Sequence, residues 1–201
     1  MSAVAARVAA SRILSLTGSV LLFTGACLSA RALYLRGKAA LAKVLIRRAW
    51  DETVRTGRAT PPWPWADTHP IGRLVIPSIG YDEVVLEGAS PRNLAFGPAR
   101  LMNAAGPGQP GNLVLAGHRT SWFLPLQDVR PGQEVVLEWR EGAAGAPPRR
   151  RSYRVRETAV IDPRDVRFLQ PTEEDCLTLI TCYPFGRGLR SPWRYIVRAA
   201  A

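Results

Sequence analysis

Three residues of this 201-residue chain have the types and settings for acyl-transfer chemistry: Cys182, His118 and Arg194. A cysteine nucleophile needs a nearby base or cation to favour thiolate, and a proton donor for the leaving group. Cys182 closes the run CLTLITC and is followed at once by the turn-forming YPFG. His118 closes NLVLAGH, where an apolar run breaks at Gly117 and delivers an imidazole to a strand end. Arg194, in WRYIVRA, offers a fixed positive charge or donor for a developing oxyanion. Each alone has a plainer reading, a histidine hydrogen-bonded at a sheet rim or a cysteine acting as a small buried hydrophobe. Together they supply a nucleophile, a proton carrier and an oxyanion donor. His69, the second histidine, precedes Pro70 in a proline-rich stretch and reads as idle.

Two other uses of cysteine fail on geometry. Cys176 and Cys182 are six residues apart on one apparent strand, about 20 Å at ~3.3 Å per residue. A disulfide needs Cα atoms within about 7 Å. A metal site built from Cys176, Cys182 and His118 has no usual zinc spacing. Cys27, the third cysteine, lies in the N-terminal apolar segment.

The elements that must carry these residues are short strands punctuated by Gly and Pro. They are expected at 72–77, 82–87, 112–118, 134–139, 152–161, 176–182 and 193–199, with short helical pieces at 90–95, 122–129 and 163–169. Residues 143–151 read as an exposed hairpin loop. Seven or eight such strands imply a mostly β domain, a small closed barrel or sandwich. Alternation places Thr178, Ile180 and Cys182 on one face of their strand and Leu177, Leu179 and Thr181 on the other. If Trp193, Tyr195 and Val197 face the core, Arg194 shares an outer groove with Cys182.

The N-terminal third differs. Residues 13–30 carry no charge and are bracketed by Arg12 and Arg31. With 32–35 added they are long enough to cross a bilayer. An uncleaved anchor is favoured over a signal peptide, because a basic amphipathic stretch follows and no A-x-A site ends the run. The stretch 38–50, apolar at 41, 44, 45 and 49, reads as a juxtamembrane helix on lipid headgroups or on the domain itself. Gly57 ends it, and ATPPWPWADTHP reads as a stiff linker. The resulting division is 1–37 tail and transmembrane anchor, 38–60 juxtamembrane helix, 61–70 linker and 71–201 catalytic domain. The formal charge of +11 is concentrated at the N-terminus, where residues 1–60 carry a net +8 and the remainder +3. That distribution favours a membrane surface over nucleic acid as partner. Flanking charge, two basic residues before the span and six after it, would by itself keep the domain cytoplasmic.

The combination of AGHR, TLITC and a last strand bearing R-x-x-V resembles the sortases, membrane-anchored cysteine transpeptidases. The likeness extends through GRLVIPSIG, VVLEGAS and GNLVLAGHRTSWF, over roughly 71–199. TCYPF, AWDET and PWPWAD look most like the class GN sortases of Gram-negative proteobacteria. The resemblance implies an eight-stranded closed β-barrel with its site in a surface groove. It makes Cys182 the nucleophile, His118 the general acid/base and Arg194 the oxyanion or substrate stabiliser, with Arg190 as a rival to Arg194. Ile180, Thr181 and Arg119 become substrate contacts. The implied partners are a secreted protein with a C-terminal LPxTG-like signal, an amine acceptor and the lipid bilayer. Against the charge count, the resemblance implies a single-pass inner-membrane protein with a cytoplasmic N-terminus and a periplasmic domain. Some sortases hold calcium with acidic residues beside the groove. Glu173, Glu174 and Asp175 form such a cluster here, but an acidic strand-entry turn is the plainer reading and no cofactor is expected. The competing functions are a tethered cysteine peptidase and a non-catalytic envelope scaffold.

Overall fold

The computed structural model describes residues 2–186 and 191–201, with side chains from Thr17 onward. It divides into two compact units, residues 1–42 and 43–201. The first unit is helical, the opening part of α1 (Ser2–Thr56). It leaves Val20, Leu21, Leu22 and Phe23 exposed, and α1 is long and apolar enough to cross a membrane by length and composition.

The second unit is a closed barrel of eight strands: β1 (Pro70–Ile76), β2 (Tyr81–Leu86), β3 (Ala99–Arg100), β4 (Asn112–Ala116), β5 (Glu134–Trp139), β6 (Arg149–Ile161), β7 (Cys176–Cys182) and β8 (Arg194–Ala200). A four-residue helix, α2 (Pro91–Leu94), lies between β2 and β3. Around the barrel the order is β1-β2-β3-β4-β7-β8-β6-β5, with β5 closing on β1. The pairs β2–β3 and β4–β7 are parallel and the rest antiparallel. The expected mostly β closed barrel is therefore the fold. The two-residue β3 is an addition to the strands read from sequence. The stretch 143–151 is a loop only to Pro148, because β6 begins at Arg149 and pairs that residue with Trp139.

Alternation explains the core. Leu113 and Leu115 of β4, Leu177 and Leu179 of β7, and Val197 of β8 point inward around the fully buried Phe123. Neighbouring residues point outward, where Ile180 and Ile196 pack with Ile161 and Phe168 in a small outer cluster.

A third cluster covers the outer face of β2. Ile46 and Trp50 of α1 bury Val84 and Leu86, and Val54, Trp63, Leu94 and Phe96 pack around them. Burying side chains of this size stabilises by about 1.5–3 kcal/mol each. Lys43 Nζ meets Glu83 at 2.6 Å, and Arg47 donates to the Asp82 carbonyl. At the helix end, Gly145 N–H donates to the Arg55 carbonyl. Of the two sites considered for the basic helix, 43–56 thus lies on the domain. Its buried stripe is Ile46, Ala49, Trp50 and Thr53, while Leu41 and Val44, on the face expected to pack, stay exposed. The large Trp50 ring covers the exposed side of β2, and this packing decides which way the helix rolls. The Pro/Trp stretch is also seated, with Trp63 edge-on to Phe96 at 5.0 Å.

Candidate active site

The outer faces of β4, β7 and β8 are contiguous, and three residues come to one end of them. β4 and β7 run parallel in register up to Ala116 opposite Ile180. Gly117 N–H then donates to the Ile180 carbonyl at 3.2 Å. The Gly117 carbonyl accepts the Thr181 hydroxyl at 2.7 Å. Carried two residues past the last ladder pair, this register brings His118 level with Cys182 on strand lines ~4.8 Å apart.

On the other side β7 meets β8 antiparallel, with Cys182 opposite Arg194. Tyr183 N–H donates to the Trp193 carbonyl at 2.9 Å. Narrow and wide pairs alternate in such a ladder, so Cys182 and Arg194 form a non-hydrogen-bonded pair with Cβ atoms about 4.5–5.5 Å apart. Cys182 therefore faces Arg194 of β8 on one side, and on the other side lies β4, from whose end His118 follows by two residues. His118 is exposed, and Cys182 and Arg194 are half-buried. Tyr195 and Val197 pack on the central core while Arg194 and Ile196 face outward, as alternation required; Trp193, expected on the core face, precedes the first residue of β8 and is exposed. Arg190 lies outside the described residues.

The backbone on either side is tightly held. The His118 carbonyl accepts N–H groups from Ser121 and Phe123, at 3.3 and 3.0 Å, folding the chain back at once. That return places the Phe123 ring under Gly117, where a Cβ would lie 2.7 Å from Cγ of the ring. Arg119 reaches across and donates to the Pro184 carbonyl at 2.8 Å, tying the segment after His118 to the turn after Cys182. Tyr183, Phe185 and Tyr195 support the same turn by mutual ring contacts, the nearest pair 4.9 Å between centroids. Arg194 Nη1 donates to the carbonyls of Pro192 and Trp193.

The remaining sequence-derived site residues separate by face. Ile180 shares the outer face with Cys182. Thr181 is 3% exposed, and its hydroxyl is engaged by Gly117, so its side chain braces β7 against β4. Arg119 acts on the Pro184 carbonyl. Asp175 accepts from Arg151 at 2.6 Å and from Gly111 N–H at 3.1 Å, a structural use within the acidic turn. Among the described residues no three His, Cys, Asp or Glu side chains gather as a metal site.

A cavity of about 750 Å³ opens farther along the same outer surface, away from Cys182. Val114 of β4 is at its floor, Gly88 to Ser90 on one wall, and Leu169 to Pro171 on another. These residues were not singled out from the sequence. The signal was there in part, since Val114 and Ala116 occupy the outward positions of β4 that lead to His118.

A family model of the sortase domain matches residues 74–201. The chain belongs to the sortase family. It is 28% identical over 127 residues to Sortase D of Bacillus subtilis (strain 168), covering 63% of this chain and 61% of that protein. It is 29% identical over 116 residues to Sortase A of Listeria monocytogenes, covering 56% and 49%. The chain thus spans about half to three fifths of the length of these curated relatives. Among solved structures, a Clostridium perfringens Sortase D5 transpeptidase shares the fold, with a TM-score of 0.63, 22% identity, and coverage of 80% of this chain and 98% of that one. Sortase C1 of Streptococcus agalactiae is similar with a TM-score of 0.56 and 25% identity, covering 65% of this chain and 66% of that one.

Proposed function

We propose that this sortase is a membrane-anchored cysteine transpeptidase acting on an LPxTG-like sorting signal. The Cys182 thiolate attacks the carbonyl of the signal's threonine, and Arg194 donates to the oxyanion that develops. His118, as imidazolium, protonates the departing glycine amine as the amide bond breaks, leaving an acyl-thioester. An incoming amine then attacks the thioester, His118 takes its proton, and Cys182 leaves as thiolate. What supports this reading is the Cys182–Arg194 cross-strand pair, with His118 following the β4 residue paired to Ile180 by two positions, at one end of an outer sheet face that has an apolar pocket along it. Val114 and His118 are four residues apart, about 13 Å in extended chain. The first and fourth residues of an extended substrate are three steps apart, about 10 Å, and the fourth carbonyl lies a bond farther on. A leading apolar side chain in the pocket therefore sets the fourth carbonyl beside Cys182.

The same reading makes Ile180 a floor contact, and gives Thr181 and Arg119 the work of holding the site together. We assign the chain to the class GN group on the TCYPF turn and the PWPWAD stretch, with no cofactor. Its place is the inner membrane, N-terminus cytoplasmic and barrel periplasmic. Lys43 and Arg47, two of the six basic residues after the span, have partners on β2, which gives them a role apart from any cytoplasmic leaflet. A C-terminal reporter fusion active only in the cytoplasm would overturn that topology.

The deciding experiment incubates residues 43–201 with an LPxTG-type peptide, with and without an amine acceptor, and follows products by mass spectrometry. An amide-ligated product is expected. Free acid alone would make the protein a peptidase, and turnover surviving Cys182→Ala would overturn the assignment.

A further inference from the structure

One wall of the apolar pocket depends on a part of the chain outside the barrel strands. Gly88, Ala89 and Ser90 line that wall. Their segment, 88–96, holds its own shape through local bonds. The Ser90 hydroxyl accepts from Asn93 N–H, and the Asn93 amide donates to the carbonyls of Glu87 and Gly88. Apart from the Asn93 bond to Glu87 at the end of β2 and an exposed Arg92–Asp67 ion pair, these ties are internal, and α2 within the segment is only four residues long. Its apolar packing lies on its other side. Ala89, Leu94 and Phe96 pack against the cluster of Ile46, Trp50, Val84 and Leu86, and Phe96 meets the edge of Trp63. Gly97 presses so close to β2 that a Cβ there would lie 3.3 Å from both Leu86 and the Val84 carbonyl. Ala89 therefore touches both the pocket and the helix-bearing cluster.

We infer that helix residues 43–56 position the substrate pocket, with Trp50 setting where the wall 88–96 stands. Trp50 is a positioning residue for sorting-signal affinity, remote from the reacting atoms. This rests on the pocket being the sorting-signal site. The chemical row is carried by β4, β7 and β8, which the cluster does not include, so the effect falls on binding.

The test uses the full chain in detergent micelles, comparing wild type, Trp50→Ala, Trp50→Phe and the exposed-position control Val44→Ala. With an LPxTG-type peptide, Trp50→Ala raises KM about tenfold while kcat stays within about twofold, the pattern of lost ground-state and transition-state binding alike. Trp50→Phe, which keeps a large ring, stays within about threefold of wild type, and Val44→Ala is silent. Amide exchange gives an activity-free readout. The Leu94, Phe96 and Gly97 amides, which donate to Ser90 and Asn93 carbonyls, exchange faster in Trp50→Ala, while those of β7 do not. Unchanged KM, equal losses in KM and kcat, or unchanged exchange at 88–97 overturns the inference. If Trp50→Ala does not fold, Ile46→Val supplies the same two measurements with a smaller expected shift. If wild type fails to turn over the peptide, the functional reading falls, and exchange alone still decides whether the helix holds the wall.

Discussion

Replacing Gly117 with alanine probes the geometry of the proposed site without touching a reacting group. Its Cβ would stand 2.7 Å from Cγ of Phe123 and 2.8 Å from Cδ2. Carbon atoms rest about 3.5–4.0 Å apart, so about 1 Å of movement is required. Phe123 is fully buried in the central core and has no room to swing out. Gly117 is tied on both sides, by its N–H to Ile180 and its carbonyl to Thr181. Overpacking of this kind costs about 1–3 kcal/mol. For a domain of this size that lowers Tm by about 2–12 °C. Whatever part of the strain the backbone absorbs is passed to His118, the next residue. A misplacement of about 1 Å costs about 100-fold in turnover. The assay is kcat/KM for peptide ligation, with thermal unfolding on the same samples. Gly117→Ala combined with Phe123→Leu opens space at the ring and recovers part of both losses. A Gly117→Ala protein with kcat/KM within about twofold of wild type would refute the claim that this contact sets the His118 position.

Other expectations follow from contacts already described. Arg119→Gln, which loses the tie to the Pro184 carbonyl, lowers kcat for ligation by about tenfold and leaves the fold intact by circular dichroism. Tyr81 is buried with no partner for its hydroxyl among the described residues, and burial pushes its pKa well up, with Glu83 and Asp82 adding to the effect. Tyr81→Phe is therefore neutral or stabilising by up to about 1 kcal/mol in denaturant unfolding at pH 7. Wild type also loses stability relative to Tyr81→Phe as pH rises past about 10, because the unfolded phenol ionises there first. The Asp82 carboxyl is held below its usual range by hydrogen bonds from Arg73, opposed by partial burial and aided by the charges of Arg73, Arg47 and Lys43. A lowered folded-state pKa stabilises above the ordinary carboxylate range, and that stability disappears as pH falls through the folded value. Arg73→Gln is thus less stable than wild type at pH 7, by under about 1 kcal/mol for this partly exposed pair, and the gap narrows towards pH 2.

The sequence and the structure agree most where the relevant rule is local. Strand alternation around Cys182 and Arg194 needs only a period of two and a turn between the strands, and both were legible. The level of His118 with Cys182 was not, because it depends on parallel pairing between strands some sixty residues apart. Nothing in either strand names the other. β3 escaped because two residues, Ala99 and Arg100, show no period at all. The helix after the span was readable as amphipathic, yet an apolar stripe fits lipid or protein equally. Trp50, which decides the matter, lay beyond the stripe that was counted. Thr181 and Arg119 read from sequence as substrate contacts, but the partner of a hydroxyl or guanidinium is a three-dimensional fact, and here each donates to a backbone carbonyl.

The position of β7 between β4 and β8 also bears on how the protein matures. β4 pairs with β3 but gains its second neighbour only once residues 176–182 have been made, and β7 in turn pairs with β8. A chain interrupted before Cys176 would expose an open sheet edge on β4 and another on the second half of β6. It would also lack the thiol altogether. Termination before Cys176 would accordingly yield an inert, aggregation-prone product, whereas a chain ending between Cys182 and Arg194 would carry the thiol with no strand on its β8 side. Closure of the barrel and the pairing of Cys182 with Arg194 are completed by the same strand, β8.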